Sequence, residues 1–281
     1  METSAAIPLD EKFLAGIVKH RDPASHKGSH GHALLIAGSK GKMGAAVISA
    51  RACVRTGVGL LSVSVPEEER GILQTAIPEA MLIMREQPGD LNKYDAVGIG
   101  PAIGLTEDSL SLLEEILQNT QHPLLLDADA LTLLSQHKRL WSMIPGNSIL
   151  TPHPGEFDRL FGRHDSIEDR NKSCTALSAR YPWVFVLKGQ HTHIAYNGGV
   201  YVNTTGNAGL AKGGSGDALT GMILSLLAQG YSSLHAGLLG VYLHGLAADL
   251  ALAQQSPESM LATDVIEHMG RAFKLLSNRD Q

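Results

Sequence analysis

The sequence has only two cysteines, Cys53 and Cys174, too few and too far apart for a disulfide framework or a zinc knuckle. Charge is also scarce. Charged residues make up 18%, below the roughly 25% usual for soluble domains. The 23 Lys and Arg against 28 Asp and Glu leave −5, with no block of like sign. A nucleic-acid surface normally needs a basic stripe, so that class is excluded. No stretch approaches the ~20 apolar residues of a membrane span, and no such helix is expected. Met1 to Lys12 carries Glu2, Asp10 and Glu11 without a basic n-region, unlike a secretory leader. The motifs G-x-x-x-x-G-K-[ST] and G-x-G-x-x-G are absent, which argues against a Walker loop and a Rossmann fingerprint. No Pro/Ser-rich linker divides the chain. The expectation is one soluble, cytoplasmic domain over residues 1–281, long enough to bury a substantial core.

Glycine, by contrast, is abundant, with 30 residues. They gather at Gly38, Gly41 and Gly44, at Gly98, Gly100 and Gly104, and most densely from Gly206 to Gly221. Apolar runs predict buried strands at Ala33–Ala37, Leu60–Val65, Ala96–Ile99, Leu124–Leu126, Ser148–Leu150 and Val184–Leu187. Helical spacing between them covers Met43 to Val54 and Leu110 to Leu117. Strands alternating with helices predict an α/β fold, a mostly parallel central sheet with helices on both faces. Asn197-Gly198-Gly199 between Thr192–Tyr196 and Val200–Asn203 marks a hairpin, and a nearly all-helical tail follows. Ligands on such sheets sit at the carboxyl ends of strands, where the glycines fall.

The densest glycine segment runs from Asn207 to Asp217 and leads into a helix carrying Leu219, Met222, Ile223 and Leu226. Backbone amides of Gly213, Gly214, Ser215 and Gly216 at a helix N-terminus would form an anion hole suited to phosphate. Asp217, in the first turn, is placed to take a proton from an attacking hydroxyl, as a kinase aspartate does. The plainer alternative is that it complements the helix dipole, but four glycines within eleven residues favour a site. Ser215 is not a nucleophile-elbow serine, because Asp217 stands where that motif needs glycine.

Thr151-Pro152-His153-Pro154-Gly155-Glu156 follows a strand and opens a helix, which makes His153 either a substrate contact or an exposed loop histidine. Lys188-Gly189-Gln190-His191-Thr192 follows another strand, so Lys188 either meets phosphate or sits in an ordinary turn. Asp127 and Asp129 end a strand and suit a metal, a ribose or a helix cap, capping being favoured for Asp129. His30-x-His32 and His191-x-His193 lack the further partners of a zinc site, and no metal cage is visible.

In this order the segments resemble the ADP/ATP-dependent NAD(P)H-hydrate dehydratase family, a branch of the ribokinase-like superfamily. The resemblance runs from about His26 to Gly270. It rests on His26-Lys27-Gly28, Ala37-Gly38-Ser39 with Met43-Gly44-Ala45-Ala46, Gly98-Ile99-Gly100-Pro101 and Leu126-Asp127-Ala128-Asp129-Ala130-Leu131. The Thr151–Glu156 segment, Lys188-Gly189 and the loop through Gly216-Asp217 complete it. One departure is Ala102, where the family often has glycine.

The resemblance implies a ribokinase-like fold and repair of NADHX and NADPHX, the hydrated forms of NADH and NADPH. It implies that Ala45, Gly104 and His153 contact the hydrate, with Asp217 at the reacting hydroxyl. Lys188, Gly189, Gln190, His191 and Thr192, with Gly216, would contact the adenine nucleotide. ADP is expected as donor over ATP, with Mg2+ on its phosphates. A homotetramer is expected, and no epimerase domain, so that a separate epimerase or spontaneous epimerisation handles the other epimer. The rival readings are a thiazole- or pyrimidine-type alcohol kinase and a silent nucleotide-binding protein. Preference between NADHX and NADPHX is not legible.

Overall fold

Runs that are apolar at every position belong to strands buried on both faces, and the computed structural model places them so. It describes residues 6–85 and 89–277. The strands are β1 (Ile7–Pro8), β2 (His32–Ile36), β3 (Leu60–Val65), β4 (Met81–Met84), β5 (Ala96–Ile99), β6 (Leu124–Leu126), β7 (Ile149–Leu150), β8 (Val184–Leu187), β9 (His193–Tyr196) and β10 (Gly199–Val202). They form one sheet in the order β1-β10-β9-β8-β7-β6-β5-β2-β3-β4. Every neighbouring pair is parallel except β8 with β9 and β9 with β10, so β9 alone runs against the rest.

The helices are α1 (Glu11–Ala15), α2 (Met43–Arg55), α3 (Arg70–Ala76), α4 (Glu107–Asn119), α5 (Asp129–Gln136), α6 (Pro154–Phe161), α7 (Ile167–Arg180), α8 (Ser215–Ala228), α9 (Ser233–Ala251), α10 (Ala262–Glu267) and α11 (Met269–Ser277). Because strand side chains alternate between faces, one run feeds two cores. Leu35, Leu125, Ile149, Val184 and Val186 face α2, α8 and α9. Leu34, Ile36, Leu124, Leu126, Phe185 and Leu187 face α4, α5, α6 and α7. The expected α/β architecture with helices on both faces is therefore present.

Four of the six predicted strands match to the residue. β2 is displaced by one position and β7 loses Ser148, whose hydroxyl instead accepts from the Leu124 amide. The hairpin turns at Asn197-Gly198, both at positive φ. The edge strands β1 and β4 lie outside the predicted set; β1 has only two residues, whereas β4 is apolar throughout, as Met-Leu-Ile-Met.

One expectation needs correction. α9 is 19 residues long with a mean hydropathy of 1.2, enough by length and composition to cross a membrane. Its apolarity has another cause, since 72% of its apolar window is buried inside the fold, beside α8, against β7, β8 and β9 and against α10 and α11. Close helix packing also explains Gly221: a Cβ there would lie 2.0 Å from the Ser49 carbonyl oxygen of α2.

Candidate active site

The carboxyl ends of β2, β5, β6, β7 and β8 lie side by side, and the loops leaving them carry the polar residues. α8 aims its N-terminus at the same edge. Gly214 is its N-cap, in the left-handed region at φ 91°, where a side chain would also strike Ile48 of α2. The Ala218 amide bonds to the Gly214 carbonyl, so the Gly216 and Asp217 amides precede the helix's own ladder and are presented outward. Gly206 and Asn207 are anchored by Asp249 of α9, whose carboxylate accepts from the Gly206 amide at 2.8 Å and from Asn207 Nδ2 at 3.0 Å.

This loop, α9 and the β8–β9 turn enclose a cavity of about 870 Å3, within the range of small-molecule sites. Asn203, Thr205 and Asn207 supply polar groups, and Leu210, Leu219 and Val241 supply apolar surface. His244 lines it as well, with Nε2 3.4 Å from Ser215 Oγ. Burial, then the charge of Lys188, pushes the His244 imidazole down to about 4, against a smaller opposing pull from Ser215. It is neutral near pH 7.

Three strand ends meet at Asp127, which is 1% exposed. Lys188 Nζ donates to it at 2.8 Å, Thr151 Oγ1 at 2.8 Å and Thr220 Oγ1 of α8 at 2.7 Å. Burial works against this carboxylate, but Lys188 and the hydroxyls outweigh it and hold its pKa below the usual value. For Lys188, burial pulls the ammonium down while Asp127, Glu156 and Asp217 together hold it above its ordinary value. Asp217 has the opposite balance. Burial, reinforced by Asp127 and then opposed by Lys188, pushes its carboxyl up to about 6.

Asp127 and Asp129 diverge because Ala128 between them sits at positive φ, 49°, a conformation that costs a non-glycine residue and marks many functional sites. Asp129 does not cap its helix. Its Oδ2 accepts from the Gly104 amide at 2.8 Å, which joins the loop after β6 to the loop after β5. Gly38 reaches the same region, with its amide on the Pro101 carbonyl at 2.8 Å.

His153 does cap a helix. Its Nδ1 accepts from the Gly155 amide at 3.0 Å and the Glu156 amide at 3.4 Å, while Glu156 Oε2 accepts the His153 amide at 2.8 Å. Pro154 then occupies the first helical position, where a missing N–H costs nothing. The imidazole, its pKa lowered first by burial, uses Nδ1 as acceptor. Nε2 therefore carries the proton, 3.4 Å from Glu156 Oε1, while the residue as a whole lines the cavity.

Residues 33–271 match the family model described as NAD(P)H-hydrate dehydratase. The chain belongs to that family. It is 36% identical over 272 residues to the ADP-dependent (S)-NAD(P)H-hydrate dehydratase of Bacillus subtilis, which covers 94% of this chain and 96% of the relative. It is likewise 36% identical over 266 residues to the bifunctional NAD(P)H-hydrate repair enzyme Nnr of Moorella thermoacetica, covering 89% of this chain. The chain spans about half the length of that bifunctional relative. A crystal structure of the Bacillus subtilis ADP/ATP-dependent NAD(P)H-hydrate dehydratase, co-crystallised with ATP/Mg2+, superposes with a TM-score of 0.87. The two are 35% identical, with 97% of this chain and 100% of that one covered. The fold is thus the ribokinase-like one of this family.

Among the sequence-predicted residues, His153, Lys188, Gly189, Gln190, Thr192, Gly213, Ser215 and Gly216 line the large cavity. His191, in the same turn, is exposed and is not on that wall, and Gly214 serves as the N-cap. Ala45, Gly104 and Asp217 also lie off the wall. Gly104 is tied through Asp129 to the face that Asp217 shares, and Ala45 opens α2 beside the Gly38 loop. Sequence reasoning missed Thr151, Thr220, Glu156 and His244 as parts of the site. Only Glu156 left a signal, as the third helical residue of a capping box. Among the described residues no three His, Cys, Asp or Glu side chains converge as a metal cage would require.

A second cavity, about 790 Å3, lies near the amino ends of β2 and β3 and is lined by Lys19, Arg21, His26, His30 and Arg55. Two of its cations serve helix C-termini, and Arg55 pairs with Glu267. Lys19 Nζ donates to the Gln229 and Gly230 carbonyls after α8, and Arg21 donates to the Gly57 carbonyl after α2.

Proposed function

We propose that this chain repairs hydrated nicotinamide cofactors, returning the S epimer of NADHX or NADPHX to NADH or NADPH at the expense of ADP or ATP, with ADP as the expected donor. The observation that carries the reading is Asp217. It stands in the first turn of α8 behind the glycine loop, with its carboxyl pushed up to about 6 by burial and Asp127. A base poised near the working pH suits removal of a hydroxyl proton.

A ring hydroxyl leaves poorly, and phosphorylation makes it a good leaving group. Asp217 takes the hydroxyl proton as the hydroxyl oxygen bonds to the terminal phosphorus of the nucleotide. The bridging oxygen–phosphorus bond breaks and releases AMP from ADP, or ADP from ATP. The amides from Gly213 to Gly216 carry the charge on the transferring group. The ring nitrogen lone pair then expels inorganic phosphate, and loss of a proton from the neighbouring carbon restores the double bond. Lys188, Gly189, Gln190, His191 and Thr192, with Gly216, bind the nucleotide. Ala45, Gly104 and the Nε2–H of His153 contact the hydrate. With no protein cage among the described residues, Mg2+ fits as a companion of the nucleotide phosphates, whose charge it neutralises.

The same proposal takes residues 1–281 as one dehydratase domain, acting in the cytoplasm as a homotetramer beside a separate epimerase. The burial of α9 inside the fold is compatible with a location away from membranes. The test is to mix the purified protein with enzymatically hydrated NADH, Mg2+ and either ADP or ATP, and to follow the near-ultraviolet absorbance of reduced nicotinamide. Recovery with one nucleotide supports the reaction and identifies the donor. No recovery with an intact substrate overturns it, and a stable phosphorylated product from a small alcohol would then favour a sister kinase.

A further inference from the structure

A single buried carboxylate joins three strand ends to the helix that carries Asp217. Both oxygens of Asp127 are used: Oδ1 accepts from Lys188 after β8 and Thr151 after β7, and Oδ2 accepts from Thr220. Thr220 lies one turn beyond Asp217 in α8. The Lys188 ammonium comes to rest beside the first turn of that helix, where a Cβ on Gly216 would lie 3.6 Å from Nζ. Burying such an ion pair seldom adds net stability compared with an apolar filling of the same volume. What it supplies here is direction. The donors on Asp127 come from residues 24, 61 and 93 positions away, so one group sets the spacing between the sheet edge and α8.

We infer that Asp127 is a positioning residue for phosphoryl transfer, holding Lys188 Nζ against the first turn of α8 and, through Thr220, holding the turn on which Asp217 stands. This rests on the reading of Asp217 as the base. Asp127 lies beneath Lys188 and acts through it and through Thr220, not on the reacting atoms. Its charge contributes as well. The titratable groups facing Asp217 are Asp127, Lys188 and Asp129, of which the two carboxylates push it up and Lys188 pulls it down. Lys188 in turn faces Glu156, and both His153 and His244 feel its charge. Removing the Asp127 charge frees the pull of Lys188 on Asp217, so both changes move Asp217 the same way.

The test is the pH profile of kcat/KM for Asp127→Asn, with melting followed separately. The acid limb is expected to move down by about half a unit or more, and kcat to fall about tenfold to a hundredfold as the geometry loosens. A purely structural Asp127 would lower the melting temperature and the active fraction but leave the acid limb in place, and that result overturns the inference. Should Asp127→Asn fail to fold, Thr220→Val decides the matter. It removes one donor and keeps the charge, and kcat should fall about tenfold with the nucleotide KM nearly unchanged, Thr220→Ser restoring it. Wild-type kcat in Thr220→Val overturns the inference. Asp217→Asn, run alongside, separates the two readings. Activity retained there overturns the base assignment. An inactive Asp217→Asn beside an unaltered Asp127→Asn overturns the positioning role alone.

Discussion

The carboxylate of Asp129 accepts a 2.8 Å hydrogen bond from the Gly104 amide, so the loop after β6 holds the loop after β5. Gly104 has φ 91°, a left-handed conformation open to glycine at little cost, and the flexibility that brings is offset by the Asp129 anchor. Asp129→Ala should raise KM for the hydrate about tenfold to a hundredfold, in line with the roughly 1.5–3 kcal/mol of a hydrogen bond to a charged group. The KM for the nucleotide should stay close to wild type. Steady-state kinetics with each substrate varied in turn checks the split.

Asp217→Asn should lower kcat by about a hundredfold to ten-thousandfold, the usual worth of a general base, while nucleotide binding measured by calorimetry persists. The wild-type enzyme should lose activity as pH falls through about 6, the value to which burial and Asp127 push this carboxyl.

The same shift has a stability consequence. A carboxyl whose folded pKa lies above its unfolded value is at its most favourable below the unfolded pKa near 4, and that stability is lost as pH rises through about 6. Above pH 6 the charged Asp217 therefore weighs against the fold. Asp217→Asn should be more stable than wild type by about 1–3 kcal/mol at pH 8, and the gain should vanish near pH 4. Denaturant melts at the two pH values test this.

His244 works in the other direction. Its folded pKa of about 4 lies below the usual 6.5 because of burial and Lys188. The folded state binds fewer protons, so this contribution is full above about 6.5 and is lost as pH falls toward 4, amounting to about 3 kcal/mol. His244→Gln should lack that part of the acid sensitivity. Comparing the melting temperatures of wild type and variant from pH 7 to pH 4.5 isolates it from the opposing slope of Asp217, which both proteins share.

Ala102 departs from glycine at a turn where φ is 53°. A left-handed alanine carries a cost of roughly 1–2 kcal/mol, of which glycine recovers part after its larger unfolded-state entropy. Ala102→Gly should stabilise the protein by about 0.5–1 kcal/mol, raising the melting temperature by about 1–3 °C for a chain of this size. Calorimetry of the two proteins gives the answer.

Much of this architecture was legible in the chain. Ala96–Ile99, Leu124–Leu126 and Val184–Leu187 read as strands because burial on both faces leaves no polar side chain in them, and Leu60–Val65 because only the small Ser62 and Ser64 interrupt its apolar run. The glycine loop before α8 was legible because positive φ, open space and helix start are all written in consecutive residues. β4 lies outside the predicted strands although Met81–Met84 is apolar throughout, and α9, read from its spacing as a helix of the tail, owes its apolarity to neighbours that composition does not name. His153 illustrates the boundary. Its place before a helix was readable, but that its Nδ1 caps the helix and its Nε2 lies 3.4 Å from Glu156 Oε1 depends on a rotamer.

The sequence by itself determined the central strands, the order of the segments and the helix on which Asp217 stands. Tertiary structure alone decided that Asp127 and Asp129, two residues apart, have different tasks. The positive φ of Ala128 turns one inward to Lys188 and Thr220 and the other toward Gly104. It also decided the charge state of the site, because burial and distant carboxylates, not residue type, set where Asp217 and His244 titrate. A local sequence pattern records what a residue needs from its near neighbours along the chain. The field and the contacts it meets come from residues that only folding brings close.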